Sequence, residues 1–110
     1  MKHLIVDFVA GFLISNSIPH LSAGLRGELF PTPFAKPPGV GLSHPSVNVV
    51  WGVINGVLAV LFLQYMPIAI GLNSGFMAVV LGALIGGALI ANYFYHWRQR
   101  NASHQSDDRK

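Results

Sequence analysis

Three stretches of the chain stay apolar long enough to make helices, and the polar and helix-breaking residues between them come in clusters. Residues 4–18 are apolar apart from Asp7 and the run Ser15-Asn16-Ser17, after which Pro19 removes a backbone donor. A helix is expected to end or kink there. Fifteen helical residues cover only about 22 Å, short of a hydrocarbon core of roughly 30 Å, so this first helix is expected to be short or to continue toward Leu25. Residues 47–66 are uncharged and reach about 30 Å as a helix, with Ser46 able to cap the free amides of the first turn. Residues 75–95 form the third apolar run. Pro67, Gly71, Asn73, Ser74 and Gly75 supply a tight connection, which makes the second and third helices an antiparallel pair. Between the first and second helices, 19–46 holds Pro31, Pro33, Pro37, Pro38 and Pro45 interleaved with glycines. No regular helix survives that spacing, and Phe30 and Phe34 provide apolar contacts to hold the loop against the membrane or the helices.

Composition turns this pattern into a location. Only 10% of the 110 residues are charged and 52% are apolar, against about 25% charged in ordinary soluble domains. No Asp, Glu, Lys or Arg occurs anywhere in 37–97, and so small a chain has too little interior to hide that stretch from water. The expectation is an all-α membrane protein with about three transmembrane helices. Residues 1–100 would form a single integral membrane domain embedded in the lipid bilayer, with 101–110 a disordered polar tail. The N-terminal run lacks a signal-peptide cleavage motif and is expected to be retained. Tyr93, Phe94, Tyr95 and Trp97 before Arg98 and Arg100 have the look of an aromatic belt at a cytoplasmic interface.

The scattered cations do not form a nucleic-acid patch, and no nucleic-acid partner is expected. They do set an orientation. Three spans with the N-terminus outside put Arg26, Lys36, Arg98, Arg100, Arg109 and Lys110 inside and only Lys2 outside. A rival arrangement makes the first segment interfacial or re-entrant, leaving two spans and all seven cations on one side.

Candidate chemistry is sparse. Without cysteine there is no disulfide, thiolate metal site or cysteine nucleophile, and the five histidines show no metal-ligand spacing. No catalytic site, metal or cofactor is expected, and His20, His44 and His96 read as interfacial hydrogen-bonding groups. Arg26 and Glu28 read as solvated loop charges. On the second helix Asn48, Gly52, Asn55, Gly56 and Ala59 fall within an arc of about 100°, a face of small and amide side chains suited to meeting protein. On the third, Gly82 and Gly86 form G-x-x-x-G with Gly75 and Ala78 nearby, and Ala83, Gly87 and Ala91 continue an adjoining strip. Packing of the second helix on the third is the first expectation. A homo-oligomer or a membrane-protein partner is the alternative. Asp7, the one acid in an apolar run, is expected about one turn inside its helix, in reach of headgroup water; alternatively it is a titratable site on a face shared with His3, Gly11 and Ser15.

The wording of the first half carries a resemblance. Ile18-Pro19-His20, Phe30-Pro31-Thr32-Pro33-Phe34-Ala35, Pro37-Pro38-Gly39, Gly41-Leu42-Ser43, Pro45, Asn48, Trp51-Gly52 and Asn55 resemble a group of small uncharacterised bacterial integral membrane proteins. That resemblance implies a bacterial cytoplasmic (inner) membrane location and no particular activity. The size is also similar to that of small multidrug-resistance transporters, but those look like four-helix proteins with an embedded Glu in the first helix, where this chain has three spans and Asp7 near a helix end. Two functions are therefore expected: a structural or accessory subunit of an oligomeric membrane complex, or a small-molecule or ion carrier or channel using Asp7 with the Asn48 and Asn55 face.

Overall fold

The computed structural model describes residues 2–65 and 67–108. Three helices dominate: α1 (Lys2–Leu25), α2 (Pro45–Tyr65) and α3 (Ser74–Asp108). Each holds a segment long and apolar enough to cross a membrane, namely His3–Leu25, Pro45–Tyr65 and Ser74–Ala102. The chain is a multi-pass, all-α membrane protein by architecture. Two strands of two residues, β1 (Phe30–Pro31) and β2 (Leu42–Ser43), pair antiparallel with Phe30 opposite Ser43 and close the base of the proline loop.

Two helices run beyond the shorter bounds read from the sequence, α1 by taking the longer alternative left open toward Leu25. α1 does not stop near Pro19 but continues to Leu25 with the proline inside it. Pro19 forfeits one backbone bond to the Ser15 carbonyl, a loss a helix tolerates when neighbours pack along both of its sides. α3 likewise does not give way to a disordered tail at 101 but runs to Asp108. No glycine or proline interrupts it after Gly87, and the Asn101 Nδ2 donates to the Trp97 carbonyl one turn back at 3.0 Å. Arg109 and Lys110 lie outside the described residues.

The larger correction concerns packing. α2 and α3 do not form the central pair; each packs along α1, which is the hub of the bundle. The contacts set the directions: Gly24, Leu21 and Ser17 of α1 meet Val49, Gly52 and Gly56 of α2 in reverse order, whereas Phe8, Gly11 and Phe12 meet Gly82, Ala83 and Gly86 in parallel. α1 and α3 therefore run together and α2 runs against both. The approach of α1 and α3 is close enough that a Cβ at Gly82 would collide with the Phe8 carbonyl, and one at Gly11 with the Val79 carbonyl. Without a hydrophobic force between helices in lipid, such backbone contact is the main source of cohesion. Side-chain hydrogen bonds reinforce it on both flanks: Ser15 Oγ donates to the Ala83 carbonyl at 2.7 Å and Ser17 Oγ to the Gly52 carbonyl at 2.8 Å.

Candidate functional site

The most developed constellation lies where the proline loop covers the C-terminal third of α1. It starts from Asn48, a fully buried amide in the first turns of α2. Its Nδ2 donates to the Phe30 carbonyl at 3.0 Å and lies 3.3 Å from the carbonyls of Ser43 and His44, so one side chain ties both short strands to α2. The donor group being committed, Asn48 Oδ1 must face His20 Nδ1, 2.9 Å away, as an acceptor. Neutral His20 accordingly carries its proton on Nδ1 and leaves Nε2 as a bare acceptor.

Aromatic rings wall the imidazole. Phe30, Phe94 and Trp51 stand edge-on to it with centroids 5.3, 6.1 and 6.5 Å away, one from the loop, one from α3 and one from α2. Phe30 also packs on Phe94 at 4.5 Å, and Phe34 meets Trp51 edge-on at 5.1 Å. The loop is pinned further by the Thr32 and Ser43 hydroxyls, 2.5 Å apart, and by α3, whose Tyr93 hydroxyl donates to the Gly39 carbonyl and whose Trp97 Nε1 donates to the Val40 carbonyl at 2.8 Å. One turn below His20, Asn16 Nδ2 donates to Asn55 Oδ1 at 3.0 Å while Asn55 Nδ2 donates to the Trp51 carbonyl at 2.8 Å. A cavity of about 380 Å³ remains between these groups, bounded by Asn16, His20, Thr32, Trp51, Leu89 and Phe94.

Asp7 sits at the opposite end of α1. It is fully buried, and neither carboxylate oxygen has a hydrogen-bond partner among the described residues. The expected placement in reach of headgroup water does not hold, because the α2–α3 connection folds over the carboxylate. Asp7 borders a cavity of about 290 Å³ shared with His3, Pro67, Ile68, Asn73 and Ser74. Gly75 makes room for it, since a Cβ there would lie 3.1 Å from Asp7 Oδ2. The start of α3 beside it presents the positive end of a helix dipole, which favours the anionic form of a carboxyl placed there. Outside the spans, Arg26 hydrogen-bonds Glu28 at 3.0 Å and holds that carboxyl below the usual carboxylate range.

The remaining candidate residues go to packing. Asn48, Gly52, Asn55 and Ala59 are buried and Gly56 half-buried along α1 and the loop. Gly82 and Gly86 are buried against Phe8 and Phe12, Ala78 is half-buried, and Gly87 faces Ser15. Asp7, Gly11 and Ser15 share the α1 face that meets α3, while His3 is exposed. The structure does not bring Asp7 together with Asn48 and Asn55. Sequence reasoning missed Asn16, His20, Thr32, Tyr93 and Trp97 as one cluster. The available signal was the Asn16–His20 spacing of four, which places both on one face only if the helix passes through Pro19. No three histidine or acidic side chains converge as a metal site among the described residues. Comparison of the chain with protein-family models, curated proteins and solved structures returns no match.

Proposed function

We propose that the protein is a structural or accessory subunit of an oligomeric complex in a bacterial cytoplasmic membrane, oriented N-terminus out and C-terminus in, with the proline loop as the surface offered to a membrane-protein partner. One observation carries this reading. The loop is fastened through side chains of α2 and α3 yet leaves Leu29, Phe34 and Leu42 more than half exposed. A preorganised apolar surface forfeits little conformational entropy when a partner covers it. Close backbone contacts hold α1 to α2 on one flank and to α3 on the other, which favours a scaffold over a moving carrier. A photo-reactive amino acid at Phe34, activated in native membranes, tests this: a discrete heteromeric adduct supports it, and adducts with lipid alone overturn it.

A second reading, a carrier or channel, draws on the unpartnered Asp7 carboxylate, since ionisable groups buried in spans often mark ion routes. Ion- or pH-dependent flux in vesicles containing the folded protein, abolished by Asp7→Asn, would favour it. Absence of flux from the folded wild type would sink it.

A further inference from the structure

The cavity beneath the proline loop has a chemical character of its own. Its acceptors follow from the hydrogen-bond network. His20 Nδ1 is committed to Asn48, and Nε2 has no partner among the described residues yet is not sealed off as a buried orphan atom. Because Asn55 directs its amide NH2 at the Trp51 carbonyl, its Oδ1 receives Asn16 Nδ2, which leaves Asn16 Oδ1 as a second acceptor without a partner among the described residues. Residues four apart on a helix lie on one face with about 6 Å between them. The cavity thus offers two acceptors, one turn apart, between aromatic walls. A hydrogen-bond donor is the complementary ligand group. At about 380 Å³ the space is in the range of small-molecule sites, and its rim includes Leu89, a residue 59% exposed within the apolar span of α3. A ligand can enter from the bilayer and leave an apolar tail there.

We propose that this cavity binds a lipid-soluble dihydroxy-aromatic molecule of the quinol type, its ring between Trp51 and Phe94, its hydroxyls donating to His20 Nε2 and Asn16 Oδ1, and its tail passing Leu89 into lipid. A para-dihydroxy ring carries its two donors at a separation comparable to one helical turn. A simple fatty alcohol would use one acceptor and leave the aromatic walls unfilled. The proposal goes beyond the subunit reading and does not depend on it, because the cavity lies within a single chain.

The test uses the full-length protein in lipid nanodiscs with ¹⁵N-labelled imidazoles, titrated anaerobically with a decyl-substituted hydroquinone, its bis-O-methyl ether and decanol. The His20 Nε2 resonance is expected to start as an unprotonated nitrogen and to shift saturably with the hydroquinone. The ether, with the same ring and tail but no donors, should bind at least about tenfold more weakly, the worth of one to two hydrogen bonds. Equal affinity for the hydroquinone and its ether overturns the role of the acceptors, and equal affinity for decanol overturns the aromatic headgroup. Two variants guard against a folding artefact. His20→Asn keeps a donor toward Asn48 while removing the Nε2 acceptor, and Leu89→Trp narrows the rim without touching the hydrogen-bond lock. Each should weaken binding, read for His20→Asn from ligand resonances, at unchanged helix content. Undiminished binding in both places the ligand elsewhere and overturns the assignment.

Discussion

At the scale of single residues, two positions separate close packing from an unpartnered buried polar group. Gly82 lets the Phe8 backbone of α1 touch α3, and even one methyl there collides with a carbonyl that cannot swing aside. Gly82→Ala is expected to cost about 1–3 kcal/mol, the range for overpacked interiors, measured by denaturant-micelle unfolding. Ala88→Val, on the exposed side of the same helix, should change stability by less than about 0.5 kcal/mol. Equal effects at the two sites would mean that α1 and α3 do not touch through Gly82. Asp7 has the opposite expectation. A buried carboxyl with no partner among the described residues is a cost to the fold, so the apolar, near-isosteric Asp7→Leu should raise stability by about 1 kcal/mol or more in the same assay. A loss of stability would show that the carboxyl is satisfied by a bound group.

At the scale of elements, the three apolar helices were legible because hydropathy and length suffice to recognise them. The α2 face of Asn48, Gly52, Asn55 and Ala59 was legible too, since small and amide residues recur at helical spacing. What it packs against was not. A stripe of small residues specifies close approach without naming the neighbour, and the short 67–75 connection pointed to α3 rather than to α1. Once α1 passes through Pro19, Asn16, His20, Leu21 and Gly24 extend it to the full depth of α2, and the His20 cluster follows. The loop was legible as ordered but not as clamped from α3, because Trp97 and Tyr93 also suit an aromatic belt. Trp97→Phe keeps the ring and removes the donor to the Val40 carbonyl. Amide exchange at Gly39, Val40 and Gly41 should then speed up while the middle of α1 stays protected; unchanged exchange in the loop would contradict the clamp.

At the scale of the whole molecule, the architecture is a hub helix with one neighbour on each flank, drawn out to 56 × 24 × 21 Å. At 35 residues α3 is about 52 Å long, well beyond a hydrocarbon core of roughly 30 Å, so its Arg98–Arg100 end stands in water beside the proline loop. If α1 spans the bilayer, His3 and the α2–α3 connection share one side of the membrane and the proline loop lies on the other. If α1 is interfacial or re-entrant, His3 and the loop share a side. The natural chain has no cysteine, so single substitutions at the exposed His3 and Glu28 report cleanly. The most direct measurement is labelling of His3→Cys and Glu28→Cys by a membrane-impermeant maleimide in spheroplasts and in inverted vesicles. Labelling of His3→Cys in spheroplasts only and of Glu28→Cys in inverted vesicles only is the expected result. Labelling of both from the same side would contradict a spanning α1 and the hub built on it.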